Sequence, residues 1–466
     1  MIRFRSCTSG HSAPVGATSA GARQRGTDEG GTPLRRAISG RLLYLFILGD
    51  VLGAGVYALA GEVAAETGGA VWVPLLVALL LALLTAASYA ELVTKYPRAG
   101  GAAVFAQRAY GRPLVSFLVG FCMLAAGVTS VAGLALAFGG DYLGAFVDLP
   151  PVPVALVFLL AVGLLNARGI KDSLAANAVM TVVEVTGLVV VVVLGAMVVA
   201  GGDGDVGRVT EFREGTSAGG AVLAGAVLAF YSFVGFETSA NVAEETQDPR
   251  RAFPRALFLG LGTAGLLYVL VGLAASAAVP TDELAGSTGP LLQVVEAAGT
   301  GLPPEVFSAV ALVAVANGAL LTSIMASRLA YGMAVEGLLP RPLARVLPGR
   351  RTPGVAIAAT LAVSMALALT GDLAELAATV VLLLLVVFIS TNVAVLVLRR
   401  QPVDHDHFRT PTALPVLGVA SCVLLLFQQE GGVWLRAGLL LLAGLALYGL
   451  QRALGGGRAA AGRGAA

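Results

Sequence analysis

Apolar residues fall into runs of about 20 between Leu42 and Leu450, separated by short polar stretches, and each run is long enough to cross a bilayer as a helix. The pattern predicts about twelve spans. The first five cover 42–60, 71–92, 114–138, 152–166 and 177–200, and the next five cover 221–240, 256–279, 306–329, 355–369 and 374–398. Two more, 414–427 and 433–450, follow them. Residues 1–36 are rich in Ser, Gly, Thr and Arg, hold no apolar segment of signal-peptide length, and read as a disordered cytoplasmic tail. Residues 37–454 read as one membrane domain and 455–466 as a second cytoplasmic tail.

Composition agrees with this pattern. Of 466 residues, 57% are hydrophobic and 12% charged, with a mean hydropathy of +0.85, which excludes an ordinary soluble domain. The fold class is therefore an all-α polytopic membrane protein. Sorting the basic residues onto alternate sides of twelve spans puts 27 of the 30 on one side and leaves Arg208, Arg213 and Arg436 on the other. Because basic residues are retained in the cytoplasm, both termini are expected there, in a multi-pass protein of the plasma membrane. One helix more or fewer would destroy that segregation.

A net charge of +2 with scattered basic residues gives no nucleic-acid footprint. Cys7, Cys122 and Cys422 have neither metal-site nor disulfide-framework spacing. His405-Asp406-His407 lies in a loop and reads as a solvated turn, so neither metal nor cofactor is expected. No HExxH, GxSxG or Walker-type loop is present, which argues against an enzyme and against built-in ATP drive.

Two spans look discontinuous. The first reads Leu48-Gly49-Asp50-Val51-Leu52-Gly53-Ala54-Gly55-Val56-Tyr57, and the sixth reads Phe230-Tyr231-Ser232-Phe233-Val234-Gly235-Phe236-Glu237. They hold equivalent places in two consecutive sets of five helices, 42–200 and 221–398, as expected where the broken helices of an inverted repeat form a midplane site. Close helix packing is the alternative use of such glycines. Amides at Ala54, Gly55 and Val56 would face a carboxylate at the positive end of a helix. Asp50 and the freed carbonyls near Asp50, Val51, Phe230 and Tyr231 would face an ammonium group. Gly53 belongs to the same candidate substrate site, and Ser232 is a smaller candidate for its wall. The expected ligand is a zwitterion.

These residues also carry a resemblance. Gly53-Ala54-Gly55-Val56-Tyr57 is similar to the glycine motif of the amino acid, polyamine and organocation transporter superfamily, and Lys95-Tyr96-Pro97-Arg98-Ala99-Gly100-Gly101 resembles its loop after the second helix. Gly235-Phe236-Glu237 with Glu244-Glu245 and Asp248-Pro249-Arg250-Arg251-Ala252-Phe253-Pro254-Arg255 resembles its sixth-helix signature. Ser327-Arg328-Leu329-Ala330-Tyr331-Gly332-Met333 with Gly337-Leu338-Leu339-Pro340 resembles the end of its eighth helix. The resemblance implies the five-plus-five inverted-repeat fold of leucine-type transporters with two appended helices at 414–450. It also implies alternating access and an amino acid or amine substrate. Tyr231 stands where relatives place an aromatic residue over the substrate.

Acids inside spans are costly enough to be functional candidates. Asp50 is the candidate partner of a substrate amine, with a capping or hydrogen-bonding role at the helix break as the alternative, and Glu237 a candidate gate or proton-carrying group, with a purely structural role as the alternative. Proton-coupled relatives often carry a lysine in the fifth helix, but no lysine lies in any predicted span here, and Glu184 is the fifth helix's ionisable group. Burial disfavours a charged carboxyl, so Glu184 is the candidate proton carrier, with cation binding or internal pairing as alternatives. Thr322 and Ser323 of the eighth helix can complete a cation-like site, although bonding to their own helix is the commoner use. The expected function is secondary active transport of an amino acid or amine, coupled to protons and surrounded by membrane lipid. Exchange without net proton movement and sensing without transport are the alternatives.

Overall fold

Ser39 opens the first membrane helix by accepting a hydrogen bond from the Leu42 amide, which satisfies one of the donors that a helix start leaves open. The computed structural model describes residues 38–53, 55–97, 101–168, 173–347 and 352–461, with 173–176 and 454–461 described by their backbone. The tail expected over 1–36 lies outside the described residues.

The first span is two helices, α1 (Gly40–Leu52) and α2 (Gly55–Thr67). The second is α3 (Trp72–Lys95), and a loop helix α4 (Gly101–Tyr110) leads to the third, α5 (Pro113–Phe138), capped by the short α6 (Asp141–Gly144). The fourth and fifth are α7 (Pro151–Arg168) and α8 (Ser173–Gly201). The sixth begins as α9 (Ala218–Tyr231) and resumes, beyond Gly235, as a 3₁₀ segment, Phe236–Glu245. Then come α10 (Pro249–Ala278), the short α11 (Thr281–Ala285) and α12 (Pro290–Ala297), and α13 (Pro304–Val335). The chain closes with α14 (Gly354–Ala368), α15 (Leu373–Leu398), α16 (Ala413–Phe427) and α17 (Gly431–Ala461).

Ten of the described segments are long and apolar enough to cross a membrane, and α14 and α16 are shorter apolar helices. Every predicted span thus falls on a helix. The loop helices α4, α6, α11 and α12 were not expected, because they are too short or too polar to register in a hydropathy window. Helix α17 runs to Ala461, past the expected end of the membrane domain at 454.

Packing partners repeat with a five-span offset. Helix α1 packs on α10 and α9 packs on α3; α1 packs on α8 and α9 on α15; α5 packs on α15 and α13 on α8. Likewise α5 packs on α7 and α13 on α14, while α3–α10, α5–α13 and α7–α14 map onto themselves under the exchange. The two halves of the chain therefore use their helices in corresponding ways, and the two broken spans meet through α2 and α9.

One expectation needs correction. Lys95, which falls in a loop by hydropathy, is the last residue of α3, is buried, and donates from Nζ to the Leu398 carbonyl at 2.6 Å. The predicted span stopped at residue 92 because Thr94 and Lys95 lower the hydropathy there. One turn earlier, buried Glu91 pairs with Arg399 through Nε at 2.8 Å and Nη2 at 2.6 Å. Arg399 also donates to the Thr410 carbonyl at 2.5 Å, and the Thr410 amide donates back to Glu91 at 2.9 Å. These bonds pin the segment after α15 against the end of α3. The bond to Glu91 raises the Arg399 guanidinium above its already high ordinary pKa.

Candidate functional site

The two breaks cross at glycines. Gly235 has φ +126°, a conformation open to glycine and rarely to other residues, and a Cβ there would stand 2.7 Å from the Asp50 carbonyl oxygen. Gly55, the first residue of α2, lies against the other break, where a Cβ would meet the Ser232 Cα at 2.5 Å. Each break thus lays a glycine on the backbone of the other. The Tyr268 hydroxyl, on α10, lies 2.7 Å from the Val51 carbonyl and 3.1 Å from the Ser232 carbonyl, so it can donate to either break.

Asp50 reaches across the crossing. Its Oδ2 accepts from the Thr238 hydroxyl in the 3₁₀ segment, and Thr238 also lies 2.8 Å from the Gly235 carbonyl. Glu237 turns back on its own segment, where Oε2 accepts from the Gly235 amide at 3.0 Å. A carboxylate there satisfies an amide freed by the break.

Below the crossing lies a cavity of about 860 Å³. Asp50, Val51, Gly53, Gly55, Tyr231, Glu237 and Thr322 line it, together with Thr238, Val234 and Gly235. It extends past Met123, Ala126, Leu134, Val380 and Leu384 to Gln107, Arg328 and Glu336. On the opposite side of the crossing, buried Tyr57, Tyr142 and Phe307 pack against one another, with ring centroids 6.3 to 6.5 Å apart. The Tyr142 hydroxyl donates to the Tyr57 carbonyl at 2.8 Å, and the Tyr57 hydroxyl to the Glu184 carbonyl at 2.8 Å. The Tyr231 hydroxyl shares a hydrogen bond of 2.9 Å with Ser130 at the cavity wall.

Several candidates stand apart from the lining. Ala54 lies outside the described residues. Val56, Phe230 and Ser232 are buried in packing, with Phe230 against the Phe388 ring at 6.1 Å. The Phe230 and Tyr231 carbonyls accept from the Phe233 and Val234 amides at 3.0 Å, so in this conformation a tight turn already uses them. Thr322 faces the cavity, but Ser323 is one helical step further round α13 and its hydroxyl accepts from Asn166 at 3.1 Å. The His405 and His407 rings stand 6.3 Å apart, and among the described residues no group of three His, Cys, Asp or Glu is placed to hold a metal ion.

Glu184 is buried between α8 and α13. Its Oε1 accepts from Asn317 Nδ2 at 3.1 Å, and that same nitrogen lies 3.2 Å from Asn177 Oδ1. Glu184 Oε2 and Asn177 Nδ2 have no hydrogen-bond partner among the described residues. Thr181, one turn before Glu184, presses its Oγ1 to within 2.0 Å of where a Cβ on Gly49 would be, so this polar cluster touches α1 one residue before Asp50. Sequence reasoning missed Thr238, Tyr268, Asn317 and Ser130. Thr238 and Asn317 carry a legible signal, a polar residue next to Glu237 and an asparagine amid an apolar span.

The sequence pattern of the amino acid permease family matches residues 39–432. The branched-chain amino acid permease BcaP of Bacillus subtilis (strain 168) is 26% identical over 439 residues, covering 89% of this chain and 92% of that protein. The vacuolar cationic amino acid transporter 4 of Arabidopsis thaliana is 32% identical over 399 residues, covering 81% of this chain and 65% of the relative. The methylthioribose transporter of Bacillus subtilis (strain 168) is 25% identical over 441 residues, covering 89% and 93%.

Proposed function

The chain belongs to the amino acid permease family, and on that premise we propose that it moves an amino acid or related amine across the plasma membrane by alternating access, coupled to protons. The observation that carries the reading is the crossing of two broken helices beside a cavity whose lining runs on to Gln107, Arg328 and Glu336. Backbone groups are left unpaired inside a membrane where they line a cavity, and a zwitterion can use them. In this reading the structure is an inward-facing state, with the Tyr57–Tyr142–Phe307 cluster as the closed outer gate. The end reached by the cavity is the one rich in basic loops, which supports a cytoplasmic position for it and for both termini.

The lining also supports an amine. Asp50, Glu237, Glu245 and Glu336 are its acids and Arg328 its cation, so the field favours a positively charged group. Asp50 is the acid at the crossing and takes the ammonium, exchanging its bond to Thr238 for one to the ligand. The ligand's carboxylate goes to the amides at the start of α2. Its side chain lies toward Met123, Leu134, Val380 and Leu384.

Glu184 is the proposed proton carrier, because its carboxyl is buried beside neutral amides and Oε2 can hold a proton without displacing a partner. Counterflow in proteoliposomes tests the transport reading: vesicles preloaded with an unlabelled amino acid should accumulate the labelled one. A protein that binds amino acids without counterflow would be a sensor instead.

A further inference from the structure

A second cavity, of about 830 Å³, opens on the outer flank of the bundle between α1 and α10, away from the central one. Arg41, Arg251 and Arg255 line it, and all three are exposed and make no ion pair among the described residues. Asp248 is the acid at its rim, so the lining keeps an excess of two positive charges. The wall formed by α10 runs Arg251, Arg255, Leu259, Thr263 at intervals of four, one stripe of a single helix face. Small residues bring the helices together behind it: a Cβ on Gly40 would sit 3.5 Å from Ala252 Cβ. Deeper in, the Tyr44 hydroxyl donates to Thr263 Oγ1 at 3.2 Å and ties the two helices.

The order of these groups with depth is that of a phospholipid. Arginines stand at the polar end of the cleft, a hydroxyl pair lies one to two turns further along the helices, and Leu259, Leu266 and Leu270 are 62%, 61% and 37% exposed along α10. A free anion would be served by the arginines alone and would have no use for the apolar flank. We propose that this cleft binds an anionic phospholipid: the arginines hold the phosphate headgroup, the Tyr44–Thr263 pair faces the glycerol region, and the chains lie along α10. Basic pockets between membrane helices suit this chemistry. Helix α1 carries Asp50 near its other end, so a lipid bridging α1 to α10 also restrains the half-helix that forms one wall of the central cavity.

The test is a thermal-shift titration of the purified full chain in detergent with short-chain phosphatidylglycerol, phosphatidylcholine of the same chains, and inorganic phosphate. This readout is independent of transport. Phosphatidylglycerol should raise the melting temperature in a saturable way, and the other two should not. Arg41→Gln, Arg251→Gln and Arg255→Gln should each weaken the apparent affinity by about fivefold, and the triple variant should lose the shift. Changing Arg341 and Arg345 to Gln, on an exposed segment elsewhere, should leave the affinity unchanged. If the triple variant does not fold, the three single variants decide. Wild-type affinity in all three singles, an equal loss in the Arg341/Arg345 variant, or an equal shift with phosphate alone would each overturn the lipid site.

Discussion

Gly235 lies with its backbone on the carbonyl of Asp50, so close that a Cβ on the glycine would stand 2.7 Å from that oxygen. The contact joins the breaks of the first and sixth spans, residues 185 positions apart, and it requires both a glycine's conformation and its missing side chain. Gly235→Ala should therefore cost about 2–4 kcal/mol, from the unfavourable φ and the displaced carbonyl together. Gly111→Ala is the comparison, since Gly111 has φ +61° with nothing within 4 Å, and it should cost about 1 kcal/mol. Melting temperatures of the two variants in the same detergent check the difference, and equal losses would remove the crossing from the explanation.

Substrate binding should be more sensitive than folding to the other half of the crossing. Gly55→Leu places a side chain against Ser232, where even a Cβ would be 2.5 Å from the Ser232 Cα. The breaks must separate to admit it, so amino acid binding should disappear while the rest of the bundle stays folded. Binding by calorimetry on monodisperse protein is the check. Native affinity in that variant would mean that the ligand does not use the crossing.

The ammonium assignment predicts a chemical selectivity. Asp50→Asn should weaken binding of ligands with a free amine by about tenfold or more, the worth of a charge-assisted hydrogen bond. N-acetylated analogues of the same ligands, which carry no positive charge, should be affected little. Thr238→Val removes the group that holds Asp50 in this conformation and should leave amine binding intact or improved. A uniform loss across charged and acetylated ligands would reduce Asp50 to a structural role.

The latch between Glu91 and Arg399 predicts a non-additive stability effect. Glu91 is 1% exposed and Arg399 12%, so removing either partner strands the other and should cost about 3 kcal/mol. Changing both, Glu91→Gln with Arg399→Met, should cost less than the sum of the single changes. Chemical unfolding in mixed micelles measures all three variants. Additive losses would indicate that each residue acts through other contacts, such as the Arg399 bond to the Thr410 carbonyl.

What the sequence made legible follows from what a hydropathy pattern can register. Gly53, Gly55 and Gly235 stood out because glycines beside an acid at mid-membrane are costly unless the helix breaks, and both breaks lie where they were expected. Which residues meet across those breaks was not legible. Thr238 meets Asp50 across 188 positions, and it faces that way because Phe236–Glu245 winds as 3₁₀ rather than α-helix, which no periodicity announced. Thr322 and Ser323 were equal candidates by composition, and only their place around α13 sends one to the cavity and the other to Asn166. Glu91 was overlooked and Lys95 was assigned to a loop because both sit where α3 leaves its apolar stretch.

Coupling is the most exacting test. If Glu184 carries the proton, its carboxyl must alternate between protonated and ionised states during the cycle, and Glu184→Gln fixes it in a neutral form. The geometry suits the substitution: the glutamine oxygen keeps the bond from Asn317, and its amide takes the place of Oε2, which has no partner among the described residues. Folding should therefore survive, and Gln binding of substrate should stay within a few fold of the native chain. Accumulation driven by an imposed pH gradient in proteoliposomes should be lost, whereas exchange of internal for external amino acid, which needs no net proton movement, should continue. Glu184 lies in the same polar cluster as Thr181, which abuts Gly49, so a change of charge there can be felt at α1 one residue from Asp50. Asn317→Leu provides the complementary case, since it removes the hydrogen bond to Oε1 and should shift the pH at which accumulation is half-maximal. Gradient-driven uptake at the native level in Glu184→Gln would make the acid structural and move the coupling group to Glu237 or Asp50. A native chain indifferent to the gradient would make the protein an exchanger.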